Sequence, residues 1–427
     1  MKQAMIEERL AALPQGAAPR ADLLAGLLES IDNPERTVQM IPVVGKNGKS
    51  TAVNAIAAVL AEAEFQVGSY VWQGGCVPLY ERIRLNGKPM LQRLFELCVE
   101  TVLAAVSSEF DRNAAEIAVA ALAFSAMKCN YAVVELEMPE LGEAFHGIPV
   151  CVVTNAGLGE DRKPDTAFAA RVGKAFRPDC TGIVYPGAEK QILSELVVAA
   201  AAQKDCMLEV IDGEDLAVQP MGEDGQPIDY GGYDVKLQVL GRAGAEAAAI
   251  AAGTALYLWR LGVEITDDAI LVGLENFRSQ FALHAIAPGI LADVCDTPER
   301  CVHLMKTLEA AGYENIHLIF APDREADVDA LCTALENGSW TAEDKSDKNK
   351  MAGMSESGIE MVYPVAHSGE NAADPLTVQK TARFHFDAIW ADSLEDALEA
   401  AKEAEADCTV ICGSRQIVLD AEKLFKK

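Results

Sequence analysis

The sequence predicts an α/β protein of two domains. The first is a P-loop-type, doubly wound, mostly parallel sheet over residues 1–287; the second is a smaller Rossmann-like α/β domain over 288–427. Three observations predict this. Apolar segments of strand length alternate with amphipathic helical stretches along most of the chain, the pattern of βαβ units. The first such unit carries a Gly- and Lys-bearing turn, GKNGKS, between its strand and its helix. The alternation lapses over 206–243 into short strands with turns, then restarts near 288. A length of 427 residues fits two to three domains at roughly 150 residues each.

The first thirty-odd residues read as helix, with Leu23, Leu24, Leu27 and Leu28 as an apolar stripe, until Pro34 breaks the pattern. A strand follows at Val38–Val44, then the turn, then a helix from about Thr51 to Glu62 whose Val53, Ile56 and Leu60 share a face. Phe65–Trp72 alternates like a strand. Continuous apolar runs at Tyr131–Leu136, Pro149–Thr154 and Thr181–Tyr185 read as buried strands, with helical stretches such as Glu116–Met127 between them. An Ala-rich helix spans 244–260. The second domain reads as strand Ile290–Val294, helix Cys301–Ala311, strand Ile316–Phe320 and helix Asp327–Leu335. Residues 338–376 are polar and rich in Gly, Ser, Asp and Lys, and read as a long surface loop. The pattern resumes at Ala388–Trp390, with helix Leu394–Glu405, strand Cys408–Cys412 and a last helix.

Acidic residues outnumber basic ones, 65 to 36, for a net charge of −29. Such a surface repels phosphate backbones and anionic lipids, which argues against non-specific nucleic-acid binding and against a polybasic membrane anchor. No run approaches the ~18 apolar residues of a membrane span. The opening MKQAMIEERL is charged and helical in pattern, unlike a signal peptide. Eleven scattered cysteines without CxxC spacing and six dispersed histidines point away from a disulfide framework and from zinc. Reduced thiols in a cytoplasmic protein are expected, and a monomer.

The strongest local signal is Gly45-Lys46-Asn47-Gly48-Lys49-Ser50-Thr51 between a strand and a helix. Glycines let the backbone turn tightly, so that successive N–H groups face an anion. The helix N-terminus adds its dipole. Lys49 supplies a compact charge for β/γ-phosphates, and Ser50 or Thr51 a hydroxyl for Mg²⁺. Val43 stands where the strict G-x-x-x-x-G-K-[ST] pattern has its first Gly. The alternative is an accidental Gly-Lys-Ser turn; the flanking strand and amphipathic helix favour nucleotide binding. Glu135, Glu137, Glu160 and Asp161 fall at or just after two strand ends, where open α/β sheets hold ligands. They are candidate Mg²⁺ ligands, although for each of Glu137, Glu160 and Asp161 taken singly a solvated loop charge is the alternative.

GKNGKST, with VQMIPVV before it and ERIRLNGKPM after it, resembles the folylpolyglutamate synthase/dihydrofolate synthase family of the Mur ligase superfamily. There the loop reads GTNGKGS or GTNGKTT, and a downstream segment reads NERIRINGEPI. The similarity continues in order along the chain. YAVVELE (131–137) is similar to YAVLEVG, VVTNAGLGED (152–161) to VITNIGLDH, and GKAFRP (173–178) to EKAGIIKP. ADVCDTPE (292–299) is similar to LDGAHNPE, and TVICGSRQIVL (409–419) to LVTGSLYLVGE.

The resemblance implies an ATP-dependent ligase that activates a carboxylate as an acyl phosphate. The amine of an amino acid, glutamate by family default, then attacks; ADP and phosphate leave, and an amide forms. It implies ATP and Mg²⁺, with Gly45, Asn47, Gly48, Lys49 and Ser50 on the phosphates and Glu135 on the metal. Lys174 matches the family's carbamylated lysine and Asp293 the acid of its DGAHNP motif. Taken alone, Glu135 has the alternative of capping a strand, and Lys174 that of an ordinary surface lysine.

The chain also departs from the family. WQGG (72–75) replaces the SPH loop, EMPELGEAFH (137–146) replaces GLGGRLDATN, and Glu160 stands in place of a metal-binding His. AGAEA (243–247) replaces HQxxN, SQF (279–281) replaces PGR, and Asp296 replaces the His of DGAHNP. One reading is a ligase with altered metal geometry and an altered acceptor acid, in which Glu160 still offers Mg²⁺ a hard carboxylate oxygen. Another is a degenerate nucleotide-binding pseudoenzyme of the same fold that binds or regulates a partner. A third, a P-loop kinase or ATPase, is opposed by ERIRLNG and by the second α/β domain. Lys49, Glu135, Lys174 and Asp293 favour the ligase.

Overall fold

A computed structural model of the chain describes all residues except 1, 15–19, 73–76, 108–109, 148, 155–165, 179, 186–189, 223, 338–357, 405 and 427; at 2–5 and 190–196 it describes the backbone alone. The chain opens with helices α1 (Lys2–Ala11) and α2 (Ala21–Ser30). Then come β1 (Gln39–Val44), α3 (Lys49–Glu62), β2 (Val67–Tyr70), α4 (Leu79–Arg82), β3 (Ile83–Leu85) and β4 (Lys88–Pro89). Next are α5 (Gln92–Ala105), α6 (Arg112–Ala126), β5 (Tyr131–Glu135), β6 (Val150–Val153), α7 (Thr166–Val172), β7 (Thr181–Val184), α8 (Lys190–Gln203) and β8 (Met207–Val210). Short strands β9 (Leu216–Val218), β10 (Gln226–Tyr230) and β11 (Tyr233–Leu237) precede α9 (Gly241–Arg260) and α10 (Asp267–Asn276). The rest is β12 (His284–Ala287), β13 (Ile290–Ala292), α11 (Pro298–Ala310), β14 (Ile316–Ala321), α12 (Val328–Asn337), β15 (Ile359–Pro364), α13 (Pro375–Ala382), α14 (Leu394–Glu403), β16 (Cys408–Gly413) and α15 (Arg415–Phe425).

An eight-stranded sheet runs in the order β4-β3-β2-β5-β1-β6-β7-β8. Its pairs are parallel except at the β2–β3 and β3–β4 edge. The strand order reverses at β1, which lies between β5 and β6, as in doubly wound sheets. A five-stranded sheet, β12-β13-β16-β14-β15, is parallel except for its β12–β13 hairpin. A three-stranded sheet has the order β11-β10-β9. The chain divides into two compact units. The first holds 1–217, 229–235 and 246–278; the second holds 218–228, 236–245 and 279–427.

Every residue of β5 and β6 is buried, as continuous apolar runs in a parallel sheet require. Val53, Ile56 and Leu60 of α3 lie in the core, and so do Leu24, Leu27 and Leu28 of α2. Leu23 belongs to the expected stripe but is exposed. The first unit also buries a salt bridge. Arg82 directs its guanidinium fork onto Glu116 at 2.8 and 2.9 Å, and both side chains are fully buried. Tyr70 Oη and Arg112 Nε donate to the same carboxylate, each at 2.9 Å.

The expected loop at 338–376 needs correcting. Residues 338–357 lie outside the described ones, but Ile359–Pro364 is strand β15, paired in parallel with β14, and α13 starts at Pro375. The polar composition of the window concealed IEMVYP, whose last three residues are buried. Ala388 makes a single parallel bridge to Val362. Among the described residues no helix is long and apolar enough to cross a membrane.

Glu422 on α15 lies among groups of its own unit. Gln280 Nε2 and Lys426 Nζ each donate to its carboxylate at 2.9 Å, and His284 Nε2 is 3.6 Å away. Burial alone would raise this carboxyl, but the neighbouring His284 and the hydrogen bonds from Lys426 and Gln280 hold it down at about 2, against an ordinary 4.5. A carboxyl depressed in the folded state stabilises above its unfolded value, and that contribution is lost as pH falls from about 4.5 toward 2. The wild type should therefore lose more stability than Glu422→Gln between pH 5 and pH 3. Urea titrations of both proteins at the two pH values check this; parallel losses would contradict it.

Candidate nucleotide site

The site grows from the carboxyl end of β1. The chain leaves the strand through Gly45 at φ +144° and enters α3 through Gly48 at φ +77°. A side chain at φ +77° is strained, so glycine at 48 lets the turn close onto the first turn of α3. That helix therefore begins at Lys49, two residues before the start read from the sequence. Because β1 lies between β5 and β6, the ends of both neighbours flank this turn: Val43 is level with Glu135, and Val44 with Val153.

Each neighbour holds part of the loop. On the β5 side, Ser50 Oγ donates to Glu135 Oε2 at 2.6 Å, and the Trp72 backbone N–H donates to the same oxygen at 3.0 Å. Glu135 is buried. Lys49 is buried too; its ammonium donates to the Gly45 carbonyl at 3.0 Å and pairs with the Glu137 carboxylate, also at 3.0 Å. On the β6 side, Thr154 Oγ1 donates to the Asn47 carbonyl at 2.6 Å. Thr51 is buried on α3.

The arrangement presents a helix N-terminus, a glycine turn, an ammonium and a hydroxyl–carboxylate pair around one point, which is the chemistry of an anion site with room for a divalent cation. The Ser50 hydroxyl and Glu135 carboxylate are hard oxygen donors and suit Mg²⁺. Among the described residues no group of three or more His, Cys, Asp or Glu side chains forms a metal cluster. Mg²⁺ bound here would complete its shell from phosphate oxygens and water.

The structure brings Gly45, Asn47, Gly48, Lys49, Ser50 and Glu135 together. Glu160 and Asp161 lie outside the described residues. Lys174 is exposed in a 3₁₀ turn, Gly173–Ala175, that follows α7. Asp293 belongs to the second unit. It is half-buried just past β13, and its Oδ1 accepts the Val294 N–H at 2.8 Å. Burial and the neighbouring Cys295 push its carboxyl well above the usual range. The second unit also has a cavity of about 320 Å³ beyond β14 and β16, whose lining includes Asp296, Asp323, Glu325 and Ser414. Sequence reasoning missed Thr154 and the Trp72 N–H. Their only signal is position: one follows β6, the other β2, at the end where β1 delivers the loop.

No family model matches the chain. A curated relative from Haloferax volcanii, a probable bifunctional folylpolyglutamate synthase/dihydropteroate synthase, is 24% identical over 352 residues, covering 74% of this chain and 40% of the relative. The chain thus spans well under half the length of that relative. Among solved structures, Mycobacterium tuberculosis folylpolyglutamate synthase complexed with ADP and AMPPCP is similar with a TM-score of 0.79 at 19% identity, covering 100% of this chain and 98% of that one. The bifunctional folylpolyglutamate synthase/dihydrofolate synthase of Yersinia pestis, complexed with AMPPNP and Mn ion, reaches 0.76 at 16% identity, with the same 100% and 98% coverage. Over its whole length, this chain has the fold of the folylpolyglutamate synthases.

Proposed function

We propose that the protein is an ATP-dependent ligase that joins a carboxylic acid to the amine of an amino acid, with release of ADP and phosphate. The observation that carries this reading is the Ser50–Glu135 pair at 2.6 Å beside the Lys49 ammonium, on a glycine turn at the switch point of the sheet. The substrate carboxylate attacks the γ-phosphorus of ATP, ADP leaves, and the amine displaces phosphate from the acyl phosphate. The loop N–H groups and Lys49 hold the phosphates, where charge shifts during transfer. Ser50 and Glu135, with Glu160 and Thr51 as further oxygen donors, would hold a Mg²⁺, which would supply neutralisation of part of that charge. Lys174 and Asp293 keep the roles that the resemblance implies, as a carbamylated and an acidic group. The acidic cavity of the second unit suits an ammonium group. Glutamate as the amine, a monomeric state and a cytoplasmic location belong to the same proposal.

A nucleotide-binding protein without ligase activity is the second reading, favoured by SQF (279–281) and AGAEA (243–247) where the family carries PGR and HQxxN. Purified protein with ATP, Mg²⁺, glutamate and a panel of pterin acids, assayed for phosphate release, separates the two. Release that needs both an acid and the amino acid is the expected result. On folates the rate should be low, since loss of one electrostatic donor typically costs on the order of 10²–10³. Nucleotide binding without release on any acid would overturn the ligase reading in favour of the second.

A further inference from the structure

We propose that Glu137 is a built-in competitor of the nucleotide's terminal phosphate for Lys49, and so sets how strongly the site prefers Mg²⁺-bound triphosphate over a bare anion. This rests on the nucleotide reading of the loop.

The two carboxylates past the middle of β5 treat the loop differently. Glu135 is buried and accepts from the Ser50 hydroxyl and the Trp72 N–H. Glu137 has a side chain 47% exposed, yet its Oε2 lies 3.0 Å from Lys49 Nζ, whose own side chain is 9% exposed. The ammonium has three protons. The Gly45 carbonyl takes one at 3.0 Å, and the Lys46 carbonyl lies at 3.5 Å. Among the described residues Glu137 is thus the anionic partner of Lys49, and its half-exposed carboxylate lies where an incoming phosphate would compete for the ammonium.

Two consequences follow. Triphosphate engages Lys49 only by breaking this ion pair. Once displaced, Glu137 remains tethered within a few residues of Glu135 and repels the phosphates, more strongly when no Mg²⁺ offsets their charge. Because Glu137 is half-exposed, its replacement by glutamine removes the charge without emptying the core.

Calorimetry of ATP and of AMPPNP, with and without Mg²⁺, on the wild type, Glu137→Gln and Lys49→Ala tests this, with thermal melts as a folding check. Glu137→Gln should bind about two- to fivefold tighter, the scale of a partly exposed ion pair, and the gain should be larger without Mg²⁺. In the Lys49→Ala background, Glu137→Gln should restore no saturable binding, because its gain acts through Lys49. If the wild type binds, Lys49→Ala does not, and Glu137→Gln binds equally or more weakly, the nucleotide reading stands and this proposal is overturned. A loss confined to Mg²⁺-containing samples would make Glu137 a metal ligand instead. If folded wild type and Glu137→Gln both bind no nucleotide, the reading of the loop fails, and the proposal with it.

Discussion

Lys49→Ala should abolish nucleotide binding and leave the fold intact. Lys49 is buried, yet among the described residues its ammonium contacts loop carbonyls and Glu137, none of them in the hydrophobic core. Alanine is the best helix former, so the first turn of α3 loses nothing intrinsic. Glu137 is left half-exposed to water and not buried as an unpaired charge. A nucleotide, by contrast, would lose the compact positive charge that the loop offers its β- and γ-phosphates. Calorimetry should show no saturable ATP binding while the thermal melt is unchanged. Unchanged affinity with an unchanged melt would remove Lys49 from the site.

The largest expected effect on stability is at the Arg82–Glu116 pair. Breaking a buried ion pair on one side strands the other charge, at about 3–5 kcal/mol. Glu116 would be left with Tyr70 and Arg112, but without the guanidinium fork at 2.8 and 2.9 Å. Arg82 also donates to the Trp72 and Val77 carbonyls at 3.0 and 2.9 Å. It therefore ties down the residue whose N–H meets Glu135. Arg82→Ala should lower stability by about 3–5 kcal/mol in urea titration. Arg82→Lys should recover little, since a single ammonium cannot reproduce the bidentate fork. The double variant Arg82→Met/Glu116→Leu should recover only part of the loss, because it removes the buried pair but leaves the Arg112 guanidinium and the Tyr70 hydroxyl without the Glu116 carboxylate. A loss below about 1 kcal/mol for Arg82→Ala would put the pair in the class of solvated surface bridges.

What the sequence made legible was local. β1, the glycine turn and α3 follow from an apolar run, two glycines and helical periodicity within about twenty-five residues. The buried strands β5, β6 and β7 were legible for the same reason, since strands covered on both faces read as unbroken apolar runs. Glu135 came into view through the motif around it. Ser50 was paired with it only through a shared Mg²⁺; the direct bond between the two, across 85 positions, follows from β1 sitting beside β5. Thr154 reaches the loop across 107 positions for the same topological reason. Glu137 read singly as a solvated charge, the commoner fate of a glutamate; its pairing with Lys49 depends on strand order. Arg82 was legible as part of ERIRLNG but not as a buried cation, because nothing in its neighbours announces Glu116, 34 positions on. β15 was lost because its polar flanks dominated the window.

The central claim is that ATP is spent on a carboxylate and not on water. Oxygen tracing tests it most directly. The protein is given ATP, Mg²⁺, an amine and an acid chosen from the phosphate-release panel, with both carboxylate oxygens labelled as ¹⁸O. An acyl phosphate carries one carboxylate oxygen into the phosphate when the amine displaces it, so mass spectrometry should find one ¹⁸O in each released phosphate and an amide retaining the other. Phosphate free of label, released at the same rate with or without the acid, would mean that water attacks ATP and that the chain is not a ligase.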